Sequence, residues 1–214
     1  ILAGVGGIGS YIGFLLARMK PARLIIYDND VVEAVNMSGQ LYGRSDIGNP
    51  KVDALANMVA NYADYHSIIA MNGLYDGNSG VDDIMICGFD NMAARKLVFK
   101  KWYAHVMSKP EEERGKCLLI DGRLAAEELQ VLAIQGNDTR AMEQYQRDWL
   151  FSDEIADATV CSYKQTTFMA NMIASLMVNI FVNFVANECN PIMPRDVPFY
   201  TSFAADTMYF KVEM

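Results

Sequence analysis

The stretch that decides the fold is Ile1-Leu2-Ala3-Gly4-Val5-Gly6-Gly7-Ile8-Gly9-Ser10, at the start of the chain. Its apolar beginning predicts a buried strand, and the glycines predict a tight turn into a helix. Gly4, Gly6 and Gly9 fit G-x-G-x-x-G. In that pattern the first glycine permits the turn, the second lets a phosphate approach the backbone, and the third lets helix and strand pack closely. The stretch therefore predicts a phosphate site at a helix N-terminus.

The rest of the chain extends this pattern into a fold. Residues 23–28 predict a second strand that ends in Asp28, about 20 residues past the glycine loop, where a ribose-binding carboxylate belongs. Strands alternate with helices beyond it, which predicts an α/β, Rossmann-like fold with a mostly parallel sheet and helices on both faces. Residues 197–203 and 208–213 predict a C-terminal antiparallel β-hairpin. We expect a single domain over residues 1–214 whose N-terminal segment is missing, since the chain starts in mid-strand without Met.

Composition and charge argue against several classes of protein. The chain has 214 residues and a formal net charge of −8, whereas binding to nucleic acid needs a basic surface. Residues 166–185 are apolar, but their asparagines recur with helical spacing, so we expect a buried or dimer-interface helix and no membrane span. We expect no structural zinc because no C-x-x-C pair exists, and reduced thiols in a cytoplasmic protein are the default. The four cysteines are Cys87, Cys117, Cys161 and Cys189.

Acids follow three of the predicted strands, at Asp28, Asp90 and Asp121. In an open parallel sheet, ligands bind beyond the carboxyl ends of the strands, so we expect Asp28 and Asp90 to face one crevice together with the glycine loop. A carboxylate near phosphates suggests Mg²⁺, and hence a triphosphate rather than a dinucleotide. The alternative is that these acids are turn formers or helix N-caps.

Five motifs in order carry a resemblance to a known family. Residues 4–10 look like G-x-G-G-x-G-S, residues 28–32 like D-x-D-x-V, and residues 35–42 like an N-L-N-R-Q segment. Residues 46–51 are similar to D-x-G-x-x-K, and residues 90–95 to D-N-x-x-x-R. The chain therefore resembles the ubiquitin-activating-enzyme-like superfamily, in its ThiF/MoeB-type adenylyltransferase branch. The resemblance is motif by motif up to the last of these motifs and looser beyond it.

The resemblance implies an activity. ATP and a carboxylate, commonly the C-terminus of a ubiquitin-like or sulfur-carrier protein, give an acyl-adenylate and pyrophosphate. It implies that Asp28 holds the ribose, that Asn36 and Lys51 contact the phosphates, and that Asp90 holds Mg²⁺. By the same resemblance, the cofactor-binding residues are Gly4, Gly6, Gly7, Gly9, Asp28, Asp30, Asn36, Gln40 and Lys51, and the catalytic residues are Lys51, Asp90, Arg95 and Cys161.

One position departs from the family pattern, because the arginine of N-x-x-R-Q falls on Gly39. Arginine stabilises developing phosphate charge, so its loss implies a weakened enzyme unless another arginine replaces it. Arg44 and Arg123 are the candidates within the chain. The family also supplies an arginine across the dimer, from an N-terminal segment that these 214 residues do not include.

Cys161 lies after a predicted loop and just before a predicted helix. In many family members a thiol in this region takes the acyl group as a thioester or persulfide, and a helix N-terminus together with Lys164 would favour the thiolate here. The alternative is a small buried residue that packs ahead of the helix.

The resemblance also implies a homodimer, with contact surface from residues 168–184. Two other classes of function stay open. An NAD-binding oxidoreductase is favoured by the bare glycine loop and Asp28, whereas a nucleotide-binding module that kept the fold and lost the chemistry is consistent with Gly39. A tRNA-modifying dehydratase belongs to the same superfamily, but the acidic charge argues against it.

Overall fold

A computed structural model describes residues 1–151, 166–189 and 192–214 of the chain. The strands are β1 (Leu2–Ala3), β2 (Leu24–Asp28), β3 (Ile68–Asn72), β4 (Ile84–Cys87), β5 (Leu118–Ala125), β6 (Glu128–Gln135), β7 (Tyr200–Ala204) and β8 (Tyr209–Glu213). The helices are α1 (Gly7–Arg18), α2 (Lys51–Ala63), α3 (Met92–Met107), α4 (Glu111–Arg114), α5 (Thr139–Gln144) and α6 (Thr167–Asn187).

The eight strands form one mixed sheet in the order β3-β2-β1-β4-β5-β6-β7-β8. The first five strands are mutually parallel, and β6, β7 and β8 continue the sheet antiparallel to their neighbours. The chain leaves β1 toward β2 on one side and later returns to β4 on the other. The strand order therefore switches at β1, which is where open α/β sheets bind ligands. The predicted α/β fold and the C-terminal hairpin are confirmed.

Both faces of the sheet are covered, which explains the nearly continuous apolar runs of the central strands. On β5, Leu118 and Ile120 belong to the core beneath α1, α2 and α6, whereas Leu119 belongs to the core beneath α3 and α5. The alternation follows the two-residue period of a strand. Cys117, just before β5, is buried in the same core as Leu119.

The strand β5 is longer than predicted. The sequence predicts that it ends at Ile120, so that Asp121 lies at a strand end, but hydrogen-bonded pairing with β6 continues to Ala125. Asp121 is fully buried. The expectation failed because an ion pair satisfies this carboxylate within the strand, and a local pattern cannot show that partner.

The apolar helix α6 is long enough and apolar enough to cross a membrane, with a mean hydropathy of 1.8 over its most apolar window. Its packing accounts for that composition. It lies against α1, β5 and β6, and eight of its side chains are buried. Near its C-terminus, Asn183 donates a hydrogen bond to the Asp196 carbonyl at 2.9 Å. The predicted buried helix is thus observed.

Alanine at Gly9 is expected to lower the free energy of unfolding by about 1–3 kcal/mol, the usual cost of overpacking. A Cβ there would lie 1.9 Å from the Gly4 carbonyl oxygen, so the backbone would have to shift. Alanine at Gly6 is the matched control, because its Cβ would meet nothing closer than Gln40 Nε2 at 4.0 Å. Urea unfolding measures both variants. If the two proteins were equally stable, the close contact between α1 and the turn would be refuted.

Candidate active site

A crevice of about 570 Å³ opens beyond the carboxyl ends of β1, β2 and β4. That volume lies within the usual range for small-molecule sites. The crevice brings together residues from all five motifs. Its lining includes Gly4, Gly6, Gly7, Asp28, Asp30, Gln40, Lys51, Asp90 and Arg95.

The glycine loop forms one wall of this crevice. Gly4 has φ of +88°, a conformation that L side chains rarely adopt, and its N–H donates to the Tyr27 carbonyl at 2.8 Å. Helix α1 begins at Gly7, and its first-turn N–H groups have no partners within the helix. Together with the helix dipole, these groups make this wall suited to an anion.

The Asp28 side chain lies at the end of β2 and is held by the backbone around it. One carboxylate oxygen accepts the Val5 N–H at 2.8 Å, and the other accepts the Asp30 N–H at 2.9 Å. Burial raises the pKa of Asp28, while these two hydrogen bonds oppose that change. Asp28 therefore stabilises the turn after β2, which is the alternative role that the sequence allows for this acid. It also lines the crevice.

Lys51 begins helix α2 and is almost wholly buried. Its Nζ lies 2.7 Å from Asp30 Oδ2, and its backbone N–H donates to the Asp30 carbonyl at 2.9 Å. The Asp30 side chain is 57% exposed, so the ion pair lies at the crevice surface. Lys51 is thus a positive charge held beside the glycine loop, with one exposed carboxylate as its partner.

Gln40 supplies a direct sign that the crevice is built for a ligand. Its Oε1 is buried without a hydrogen-bond partner among the described residues, in a side chain next to Gly6. Such acceptors are rare in folded proteins and usually meet a water, an ion or a ligand. The residues present therefore fit a bound polar group at this wall.

Asp90 is exposed and lines the crevice just before α3. The alternative that it caps this helix does not hold, because the cap is Asn91, whose Oδ1 accepts the Ala94 N–H at 2.8 Å. The Asp90 carboxylate receives one long hydrogen bond of 3.4 Å, from Asn91 Nδ2. Its oxygens suit a hard cation such as Mg²⁺, which prefers carboxylate ligands beside phosphates.

Arg95 is buried in the floor of the crevice. Its guanidinium pairs with Asp121 and donates to the carbonyls of Gly122 and Phe89. Asp121 also accepts from Arg123 Nε and from the Tyr145 hydroxyl, both at 2.9 Å. One buried carboxylate therefore holds two arginines, and Arg95 in turn holds the segment that leads from β4 to Asp90.

Other predicted residues lie apart from the crevice lining as far as the structure describes it. Asn36 accepts the Glu33 N–H at 2.8 Å within a 3-10 turn (Ala34–Ser38), which ends at buried Gly39.

Arg44 lies in a second exposed turn. Arg123 is held by Asp121 and by the Trp149 carbonyl at 2.8 Å. Neither arginine lines the crevice. Cys161 lies outside the described residues.

Sequence reasoning missed several residues of the crevice wall, among them Leu74 and Tyr75. These two residues follow β3 and line the crevice. Tyr75 is buried, and its hydroxyl donates to the Gly80 carbonyl at 2.8 Å. The available signal was their place after the third strand, because the carboxyl ends of parallel strands share one edge of the sheet.

The fold and the crevice define a Rossmann-like protein with a ligand-sized crevice at its topological switch point. The ThiF family model matches residues 1–213, so the chain belongs to the ThiF family. Among curated proteins, it is 36% identical over 73 residues to the tRNA threonylcarbamoyladenosine dehydratase of Bacillus subtilis (strain 168), covering 34% of this chain and 29% of that protein. It is 28% identical over 119 residues to ubiquitin-like modifier-activating enzyme 5 of Arabidopsis thaliana, covering 45% of this chain and 27% of that protein.

Solved structures agree on the fold. MccB of E. coli, crystallised with ATP, matches with a TM-score of 0.73 at 14% identity, covering 99% of this chain and 62% of MccB. The same protein crystallised with MccA matches with a TM-score of 0.75 at 13% identity and the same coverage. The chain thus spans under a third of these curated relatives and under two thirds of MccB.

Proposed function

We propose that the protein is an ATP- and Mg²⁺-dependent adenylyltransferase that activates a carboxylate, the C-terminus of a ubiquitin-like or sulfur-carrier protein, as an acyl-adenylate. The observation that carries the proposal is one crevice lined by the glycine loop, Asp28, Lys51 and Asp90. Membership of the ThiF family supports it. So do the relative named as an activating enzyme and the MccB structures with ATP and with MccA.

In the adenylation step, the bonds that form and break belong to the substrate and to ATP. A carboxylate oxygen of the substrate attacks the α-phosphorus of ATP, the α–β bridging P–O bond breaks, and its electron pair leaves with pyrophosphate. The attacking carboxylate is already ionised near neutral pH, so no general base is needed. The protein's work is to align the reactants and to stabilise the charge on the phosphates.

Each wall of the crevice has a part in this step. The N-terminus of α1 faces the phosphates, and Asp28 holds the ribose. Lys51 leaves Asp30 and pairs with phosphate oxygens, exchanging one anionic partner for another of higher charge. Mg²⁺ held at Asp90 would neutralise phosphate charge. Gln40 Oε1 accepts a hydrogen bond from the bound substrate.

Neither Arg44 nor Arg123, the candidates to replace the arginine that the family pattern places at Gly39, lines the described crevice, and Arg95 in its floor is paired with Asp121. We therefore assign that charge to the partner subunit of a homodimer, in line with the resemblance. The exposed apolar side chains Phe168 and Met172 on α6 supply contact surface for it. Acyl transfer to Cys161 and a cytoplasmic location remain part of the proposal.

Pyrophosphate–ATP exchange tests the activity. The protein is incubated with labelled pyrophosphate, ATP, Mg²⁺ and purified ubiquitin-like or sulfur-carrier proteins, preferably those encoded beside it. We expect exchange that depends on one of them and disappears when its C-terminus is amidated, because an amide lacks the attacking carboxylate. If the amidated protein supported exchange as well as the unmodified protein, the proposed substrate class would be refuted.

Three further outcomes separate the alternatives. ATP binding without exchange for any carboxylate would favour a binding module that lost its chemistry, as Gly39 allows. Binding of NAD and not of ATP would favour an oxidoreductase and would defeat the proposal. Stimulation by tRNA in place of a protein substrate would favour the dehydratase class, to which the Bacillus subtilis relative belongs.

A further inference from the structure

A second cluster of reactive side chains lies at the edge of the sheet opposite the crevice, where β4 and β5 begin. Asp83 immediately precedes β4, Cys117 immediately precedes β5, and His105 lies in the last turn of α3. One carboxylate oxygen, one ring nitrogen and the sulfur all lie within 4.8 Å of one another. Among the described residues that line the crevice, none belongs to this cluster. It is therefore a separate site.

The backbone fixes Asp83 to both elements that carry the other two side chains. The Asp83 carbonyl accepts the Trp102 indole N–H at 3.1 Å, which ties it to α3. The same carbonyl accepts the Leu118 N–H at 2.9 Å, which ties it to β5. The three side chains thus converge from a rigid frame, and such a frame is what a metal site needs.

The side chains already contact one another through Asp83. Its Oδ1 lies 2.7 Å from His105 Nε2 and 3.7 Å from Cys117 Sγ. Cys117 is fully buried, whereas the side chains of His105 and Asp83 are 26% and 36% exposed. The cluster therefore has a buried sulfur at its base and an open side toward solvent.

One cation competes for this position. Lys109 Nζ lies 2.8 Å from the same Asp83 oxygen. Partial burial acts to raise the pKa of Asp83, but hydrogen bonds from Lys109 and His105 lower that pKa overall. A buried thiol without a cationic partner keeps its proton until a metal ion displaces it. Lys109 takes the Asp83 oxygen that a metal ion would bind, and its long side chain can turn to solvent.

We propose that Asp83, His105 and Cys117 form a mononuclear Zn²⁺ site with its fourth position open to water. Bonds of about 2.0–2.3 Å in a tetrahedron place such ligand atoms roughly 3.3–3.6 Å apart, so shifts of about 1 Å suffice. Sulfur and imidazole ligands favour zinc over magnesium or calcium. The set contains a single cysteine, so the lack of a C-x-x-C pair does not argue against it.

Binding has a defined proton balance. The Cys117 S–H bond breaks, its proton goes to water, and the thiolate sulfur binds the ion while Lys109 leaves Asp83. The His105 proton that faces Asp83 leaves Nε2 for water, and the ring takes its N–H at Nδ1, so that Nε2 can bind the ion. The bound ion would then join the last turn of α3 to the starts of β4 and β5, and so stabilise the side of the sheet remote from the crevice.

Cobalt titration of the folded protein tests the site, with dialysis against Zn²⁺ and metal analysis as a second measure. We expect one equivalent of metal and the thiolate-to-cobalt absorption that only a sulfur ligand produces. Both should disappear in Cys117→Ala and in His105→Gln. The controls are Cys189→Ala, an exposed cysteine, and His66→Gln, a histidine that lies 3.3 Å from Asp64 on the surface; both should bind as the wild type does.

Lys109→Met gives a test that does not remove a ligand. Without the competing ammonium group, metal affinity should rise about two- to fivefold, the factor that a partly exposed ion pair supports. Absence of stoichiometric binding by the wild type would overturn the proposal, as would a cobalt–thiolate band that survives in folded Cys117→Ala. If that variant does not fold, an unchanged affinity in Lys109→Met overturns it. None of these outcomes depends on adenylation.

Discussion

Replacing Asp121 with alanine is expected to lower the free energy of unfolding by about 3–5 kcal/mol, the usual cost of leaving a buried charge without its partner. Asp121 is fully buried and pairs with Arg95 and Arg123, whose side chains are only 7% and 12% exposed. The variant would leave both guanidinium groups in the protein interior without a counter-charge. Urea unfolding followed by circular dichroism measures the change.

The chain offers a matched control for this prediction. Arg147 and Asp148 also form an ion pair, but their side chains are 70% and 43% exposed. Alanine at Asp148 should therefore leave the free energy of unfolding close to that of the wild type. Phenylalanine at Tyr145 removes only the hydroxyl that donates to Asp121 and should cost an intermediate amount, about 0.5–1.5 kcal/mol. Equal stability of the Asp121 and Asp148 variants would contradict the proposed role of the buried network.

Replacing Asp90 with alanine is expected to reduce pyrophosphate–ATP exchange by roughly 100-fold or more, the size of effect seen when one preorganised electrostatic group is removed. Stability should hardly change, because Asp90 is exposed and Asn91 caps α3 in its place. Exchange rates at several Mg²⁺ concentrations measure the effect. A loss that is partly recovered at high Mg²⁺ would identify metal binding as the cause.

The control for Asp90 is Asp206→Ala, which removes an exposed carboxylate in the turn between β7 and β8. It should leave exchange at the wild-type rate. If Asp90→Ala also exchanged at that rate, Asp90 would have no part in holding the metal. Lys51→Ala is a companion variant that removes a phosphate contact. Its loss of exchange should therefore persist at any Mg²⁺ concentration.

The crevice was predictable to the extent that its residues follow strands. Asp28 and Asp90 were expected in one crevice because Asp28 ends one apolar strand and Asp90 follows another after two residues, and parallel strands bring such positions to one edge. The prediction that Lys51 lies in the site came from a motif, and no contact of its side chain could be read from the sequence. Its ion pair with Asp30 joins residues 21 positions apart and has no local signature.

Other features depend on long-range contacts that a single sequence does not reveal. Asp121 looked like a strand end because a charge in a buried strand is unfavourable alone, yet Arg95, 26 positions earlier, neutralises it. Asn36 matched a phosphate-binding motif, but its side chain closes its own turn. The cluster at Asp83 went unpredicted because its three residues come from separate elements without the spacing of a known metal motif.

The central claim is that the crevice beside the glycine loop binds ATP with Mg²⁺. A crystal structure of the protein soaked with ATP and Mg²⁺, beside a parallel soak with NAD, tests it most directly. We expect the phosphates against the N-terminus of α1, the ribose on Asp28, Lys51 turned from Asp30 to the phosphates, and a metal ion at Asp90. A nucleotide bound elsewhere, or NAD bound in the crevice while ATP is not, would contradict it.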